Sequence, residues 1–189
     1  MTPNIIEKGN RMSRIPVITN ETATTEQLEL FNAIQAQLGV VPNFLKIFAN
    51  SPAALRSFLG FYSIAHEGTL DALTRERIAL AVAQQNSCEY CVSAHTALGK
   101  KAGLSNDEIN ANRAGGSQDA KAAIAVKLAR SISEHKGEIA TAELIEARNA
   151  GFSESDIVEI ITHVGLNYLT NILGKASRVE IDFPKVSLN

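Results

Sequence analysis

Residues 87–95 read Ser-Cys-Glu-Tyr-Cys-Val-Ser-Ala-His, and Cys88 and Cys91 are the only cysteines in the chain. On a helix, a spacing of three puts both thiols on one face, within the small adjustment a disulfide needs. His95 follows Cys91 by four, so it lies on that face one turn along. From there it can take the Cys91 proton or hold a water that does. Asn86 and Ser87 are both good N-caps, and Glu89 stands three after Asn86 as in a capping box. The helix is therefore expected to begin almost at Cys88. Thiols at that point meet unpaired backbone N–H groups and the positive end of the helix dipole. Both effects lower a cysteine pKa from about 8.5 toward neutrality or below.

A carboxylate stands nearby in sequence: Glu76, within LTRERIALAVAQQ. A tight break at Asn86-Ser87 would fold this helix back on the next and bring Glu76 toward the imidazole. A facing carboxylate raises histidine basicity and fixes its tautomer. Glu76, His95, Cys91 and Cys88 would then form a proton relay ending in a dithiol. The same Glu76 reads equally as a solvated member of the TRER charge cluster. Two blander readings compete for the cysteines. One is a zinc site completed by His95 and Glu76, but structural zinc usually draws on two ligand pairs and no second CxxC or HxxxH exists. The other is a buried, inert pair, against which the cap position and His95 both weigh.

The elements that must position these groups are helices throughout. Ala, Leu, Ile, Glu, Lys and Gln dominate, aromatics are few, and no period-2 alternation persists. Start and stop signals place helices over 24–39, 43–50, 51–68, 73–85, 88–103, 105–113, 118–137, 141–151 and 153–177. We expect an extended N-terminal arm over 1–22 (Met12 could be the true start), a single all-α domain over 23–177, and an extended tail over 178–189. An internal echo, Ala102-Gly103-Leu104-Ser105 through Ile109 against Ala150-Gly151-Phe152-Ser153 through Ile157, suggests a duplicated helical hairpin. In that register Cys88, Cys91 and His95 fall opposite Lys136, Ile139 and Glu143, so only the first copy carries reactive groups.

Bulk properties exclude several classes. With 18 basic and 20 acidic residues among 189, the net charge of −2 gives no reason to expect nucleic acid or an anionic membrane as partner. Charges interrupt every apolar stretch well short of the roughly 20 residues needed to span a bilayer. The N-terminus lacks an apolar core of signal-peptide type. A cytoplasmic location follows, and a reducing compartment makes a permanent staple an unsuitable role for two cysteines.

Glu76, Cys88-x-x-Cys91-x-x-x-His95 and the neighbouring LTRERIALAVA and AHTALGKKAGLS resemble the carboxymuconolactone decarboxylase superfamily. More narrowly they are similar to its alkyl hydroperoxidase D-like branch of peroxidase-related enzymes. The resemblance is strongest over roughly residues 40 to 115 and continues through NYLTNILGKASRVEIDFP. It implies an all-α, AhpD-like fold, a homo-oligomer (trimer or hexamer), no cofactor, and a thiol peroxidase. Carried over by position, Cys91 would be the peroxidatic thiol and Cys88 the resolving, more exposed one, with His95 and Glu76 as proton relay. The Cys91 thiolate would attack a hydroperoxide and become a sulfenic acid, Cys88 would close the Cys88–Cys91 disulfide, and a dithiol reductant (a lipoyl or thioredoxin-like protein) would reopen it. One departure stands out: the branch's best-known hydroperoxidase carries a second histidine where this chain has Tyr90, a poor base at neutral pH.

Tyr90 and His66 are candidate pocket residues. His135, near a helix end, and His163, in an apolar helix, read as structural. Phe58, Phe61 and Tyr62 read as core or subunit contact, and Asn167, Tyr168 and Asn171 as rimming the site or satisfying an interface. The alternatives to a peroxidase are a general dithiol-disulfide oxidoreductase, a decarboxylase, which would leave the cysteines idle, and a metal-binding or structural oligomer. The peroxidase reading requires the cysteine pair to be reachable from a cavity.

Overall fold

The computed structural model describes residues 13–188. The start of the expected arm, residues 1–12 with Met12, lies outside them. Among the described residues the chain is all-α: α1 (Thr25–Leu38), α2 (Asn43–Phe48), α3 (Pro52–Ala65), α4 (Ala72–Gln85), α5 (Glu89–Ala102), α6 (Asn106–Ala114), α7 (Ala120–Glu134), α8 (Thr141–Asn149) and α9 (Glu154–Ser177). The boundaries follow the capping chemistry. Thr24, Ser51, Asp71, Ser105, Asp119 and Ser153 each accept a backbone N–H from the first turn of the helix they precede. Such caps are worth about 1 kcal/mol apiece. Pro52 adds its preset φ at the first position of α3.

Central to the packing is α4, which contacts α5, α6, α7 and α9. Six consecutive residues, Ile78 to Ala83, are buried, so this stretch is enclosed on all sides rather than amphipathic. Two larger cores flank it. One gathers Ile78 and Val82 with Leu128, Ile132, Ile157, Ile160 and Val164 from α7 and α9. The other packs Phe31, Phe44, Phe48, Leu55 and Phe58 from α1 to α3 against Cys88, Tyr90, Cys91 and Val92. Burying each such aliphatic or aromatic side chain contributes about 1.5–3 kcal/mol, so the cysteines sit in a well-anchored region.

The two echoed joints are built alike. Gly103 (φ 112) and Gly151 (φ 85) occupy the left-handed conformation. Leu104 and Phe152 are buried beyond them, and Ser105 and Ser153 cap the next helix. The likeness stops at the joint, because Lys136 and Ile139, opposite the two cysteines, lie in the turn between α7 and α8.

Residues 13–22 carry no helix, and Ile15, Val17 and Ile18 pack on the first core. The tail is extended too, and it crosses its own α5. Val186 N–H donates to Ser93 Oγ (3.0 Å), and Arg113 Nη2 donates to the Ser187 carbonyl (2.7 Å).

Candidate active site

Local chain direction creates the site. α4 ends on Asn86, which is its C-cap rather than a cap of α5. Ser87 adopts a left-handed φ of 53, turning the chain back so that Cys88 N–H donates to the Ala83 carbonyl at 3.0 Å. The expected capping by Asn86 and Ser87 is therefore corrected. Cys88 itself is the N-cap, and its Sγ accepts the Cys91 N–H at 3.4 Å. The physical reason is the hairpin: with Asn86 and Ser87 consumed by the reversal, the next residue is the first with extended backbone available to cap. The helix still begins where expected, within one residue.

Cys88 and Cys91 are joined as a disulfide. Its sulfurs are buried, Cys88 being 1% exposed and Cys91 3%. The expectation of a more exposed Cys88 is thus corrected as well. α9 lies against the pair at Gly174, where an added Cβ would stand 3.0 Å from Cys88 Sγ and 3.6 Å from Cys91 Sγ. Only a residue without a side chain lets the helix approach so closely. Neither cysteine lines either cavity described below, so the oxidised pair does not meet the expectation that it be reachable from a cavity.

The antiparallel return of α5 on α4 brings His95 Nδ1 to 2.9 Å from Glu76 Oε2. Both side chains are largely buried, at 20% and 14% exposure. A carboxylate can only accept, so Nδ1 carries a proton and Nε2 is the nitrogen left to exchange one. Glu76 also lines a cavity of about 240 Å³ with Tyr62, His66, Arg75, Leu98 and Lys101. His66 Nδ1–H donates to the Tyr62 carbonyl at 2.7 Å, and its ring stacks on Tyr62 with centroids 4.0 Å apart. Burial holds the His66 pKa below its usual value, leaving it neutral near pH 7. His163 packs edge-on beside it, 5.6 Å between centroids. Burial first, then the neighbouring His66 and Arg75 charges, depress the His163 pKa to about 4.

Tyr90 lines neither of the two cavities. Its ring stacks on Phe44 and meets Phe183 edge-on, and its hydroxyl donates to Asp182 Oδ1 at 2.8 Å. Burial, and then the Asp182 hydrogen bond and charge, raise its pKa well above the ordinary phenol value. It anchors the tail to α5, because its position on the helix faces α2 and the tail. Asp182 binds the Asn43 N–H at 2.7 Å with its other oxygen. Phe58 is core as expected, whereas Phe61 and Tyr62 remain partly exposed. His135 is the C-cap of α7.

On the far side of the disulfide, Asn86 Nδ2 donates to Asn171 Oδ1 (3.0 Å) and Lys175 Nζ donates to the Asn86 carbonyl (2.8 Å). These residues line a second cavity of about 420 Å³ with Tyr168, Ile172 and Ala176. Asn167 instead turns inward, its Nδ2 donating to the His163 carbonyl. Two elements escaped the sequence reading. Gly174 was one small residue in an apolar helix, and the signal that could have found it was its lack of a side chain on the buried side of α9. Lys175 and Asn86 sit 89 positions apart, and nothing local links them. Among the described residues no cluster of three or more His, Cys, Asp or Glu side chains is arranged to hold a metal.

The model of the Carboxymuconolactone decarboxylase family matches residues 52–131, a span that contains Glu76, both cysteines and His95. An uncharacterized protein of Haemophilus influenzae (strain ATCC 51907 / DSM 11121 / KW20 / Rd) is 44% identical over 57 residues, covering 30% of this chain and 50% of its own. The match thus spans half the length of that relative. Among solved structures, an uncharacterized peroxidase-related protein from Silicibacter sp. TM1040 is 25% identical, with a TM-score of 0.79 over 93% of this chain and 94% of that one. An uncharacterized peroxidase-related protein from Ralstonia eutropha JMP134, with an alkylhydroperoxidase AhpD core, is 21% identical, with a TM-score of 0.82 over 92% and 94%. The same fold occurs in a debrominase solved with 2,3,4-tribromopyrrole (15% identity, TM-score 0.77 over 92% and 94%), so fold alone does not choose the reaction. The helical architecture is AhpD-like, and it carries a CxxC pair with a Glu–His couple on the same two helices. Over residues 52–131 the chain is similar to the carboxymuconolactone decarboxylase family, and its fold is the one seen in the AhpD-like, peroxidase-related structures.

Proposed function

We propose that the chain is a cytoplasmic thiol peroxidase that reduces hydroperoxides through Cys91 and Cys88. The observation that supports this most is the Cys88–Cys91 pair at the start of a helix whose His95, one turn on, is held by Glu76. In the reduced protein His95 Nε2 takes the Cys91 proton. The Cys91 thiolate attacks the terminal peroxide oxygen, the O–O bond breaks, and the departing alkoxide takes the proton back from His95. Cys91 is then a sulfenic acid. Cys88, whose Sγ accepts the Cys91 N–H, is the thiol most favoured as thiolate by the helix start. It displaces hydroxide, which leaves as water, and closes the disulfide. The two cysteines thus owe their activation to different causes: Cys91 to His95, Cys88 to the N-cap.

The closed disulfide is the resting product of this cycle, and turnover requires it to be reopened by a dithiol. A second reading, a general dithiol-disulfide oxidoreductase, draws on one observation: the N-cap falls on Cys88 rather than Cys91. Comparing peroxide with disulfide turnover under one reductant separates the two. We further propose a homo-oligomer. Val158, Ile161, Leu169 and Ile172 form an exposed apolar stripe on α9, larger in reach than scattered surface residues. Among the described residues no helix is long and apolar enough to cross a membrane. The function is tested by following hydroperoxide consumption in Cys91→Ser. Loss of activity is expected, and unchanged consumption contradicts the proposal.

A further inference from the structure

Resting on the proposed function, the disulfide of this chain must be reopened, yet its sulfurs are buried. We infer that the thiol which reopens it enters through the cavity between α9 and the α4–α5 turn, and that this cavity selects a dithiol carrying a carboxylate or amide oxygen.

Three observations lead there. The first is placement. The cavity of about 420 Å³ is walled by Asn86, Tyr168, Asn171, Ile172, Lys175 and Ala176. Asn86 precedes Cys88 by two, and Asn171 and Lys175 flank Gly174, the residue whose Cβ position lies 3.0 Å from Cys88 Sγ and 3.6 Å from Cys91 Sγ. Seen from α9, Cys88 is therefore the nearer sulfur. The cavity around Glu76 and His66 lies on the other side of the relay and shares no lining residue with this one.

The second is an unmet hydrogen-bond donor. Asn171 is 1% exposed and its Oδ1 is used by Asn86. Its Nδ2 has no partner, a costly state for a buried amide. An acceptor oxygen on an incoming molecule would relieve it. The third is charge. Lys175 is the one ionised side chain in the cavity wall, and its bond to the Asn86 carbonyl engages a single N–H of three. An acceptor with negative charge is the ligand that this pair of donors suits.

The redox step balances as follows. A thiolate of the incoming dithiol attacks Cys88 Sγ, the Cys88–Cys91 bond breaks, and Cys91 departs as thiolate. The second thiol of the reductant gives its proton to the Cys91 thiolate by way of His95 Nε2, attacks the mixed disulfide and releases Cys88 as thiolate, accepting the Cys91 N–H. The reductant leaves as its own disulfide, having given two electrons. Cys88 is a good leaving group in this second step because the helix start stabilises its anion.

The test uses full-length protein oxidised with diamide, so that it does not depend on any reaction with peroxide. Reduction is followed by quenched thiol alkylation with two probes, the neutral dithiothreitol and the dicarboxylate 2,3-dimercaptosuccinate. In Lys175→Gln the ratio of the dimercaptosuccinate rate to the dithiothreitol rate is expected to fall about five- to tenfold, the scale of one lost charge contact at a partly exposed site. In Ala176→Trp, which fills the cavity mouth, both rates are expected to fall at least about fivefold. Helicity and oligomeric mass are checked for each variant, and the smaller Ala176→Phe replaces Ala176→Trp if assembly changes. A ratio retained within twofold in Lys175→Gln, or both rates retained in the filled variant, overturns the proposal. A protein that responds as expected here but does not oxidise with hydroperoxide would overturn the peroxidase reading instead.

Discussion

Gly174 of α9 stands directly over Cys88: a Cβ there would lie 3.0 Å from the sulfur, so a methyl would push the two apart by a few tenths of an ångström. Replacing a helical glycine with alanine ordinarily stabilises by up to about 1 kcal/mol. Here the crowding is expected to reverse the sign, since overpacking costs about 1–3 kcal/mol. Gly174→Ala should lower the Tm of the oxidised protein by about 2–6 °C. Gly165, on the same helix with nothing near its Cβ position, serves as the control. Gly165→Ala should leave the Tm unchanged or raise it. Equal shifts in both variants would show that the α9 contact is not tight.

The Glu76–His95 hydrogen bond gives a graded prediction. Gln at position 76 can still accept the His95 Nδ1–H but cannot stabilise an imidazolium. Glu76→Gln is expected to lower kcat/KM for hydroperoxide about tenfold, and His95→Gln about 100-fold or more. Stopped-flow measurement of Cys91 oxidation checks both. If Glu76→Gln matched wild type, the carboxylate charge would play no part in the relay.

His163 predicts how stability depends on pH. Its folded pKa of about 4 lies below the usual 6.5, so the unfolded chain binds the proton first. Stability is unaffected by this group above pH 6.5 and is lost as pH falls from about 6.5 to about 4, by up to about 3 kcal/mol. Glu108 acts lower. Burial works to raise its pKa, but hydrogen bonds from Ser117, Asn112, Gln118 and Arg77 outweigh it and bring the value to about 2. Its contribution is lost between about 4.5 and 2. Denaturant melts should therefore show a slope between pH 6.5 and 4 that His163→Gln reduces, the depressed His66 supplying the remainder. A slope retained in full in that variant would place its origin elsewhere.

The α9 stripe predicts assembly. Ile161→Glu puts a charge in its middle, beside the open Gly165, and burying an unpaired charge is prohibitive. Light scattering after size exclusion should show the wild type as a multiple of the 20.3 kDa chain and Ile161→Glu as a smaller species with unchanged helicity. A wild-type protomer would remove the proposed oligomer.

Local chemistry explains what could be read in advance. Thr24, Ser51, Ser105 and Ser153 announce their helices because capping acts within three residues, whereas the Asp71 cap of α4 lies just ahead of the stretch the pattern marked. The Cys88, Cys91 and His95 face follows from helix period alone. Glu76 was nameable as His95's partner because one tight turn joins α4 to α5. The N-cap was misassigned since Asn86 and Ser87 suit a reversal as well as a cap, and only the turn geometry decides between them. Tyr90 went to Asp182 rather than a pocket because its partner lies 92 residues away. The burial of both sulfurs under Gly174 was equally hidden, since it depends on how α9 crosses α5.

The most direct test is intact mass measurement of the reduced protein after one equivalent of hydroperoxide. Loss of two hydrogens, mapped to a Cys88–Cys91 bond, with Cys88→Ser instead holding a single added oxygen on Cys91, is the predicted result. An unchanged mass, or a stable added oxygen in the wild-type protein, would contradict the account.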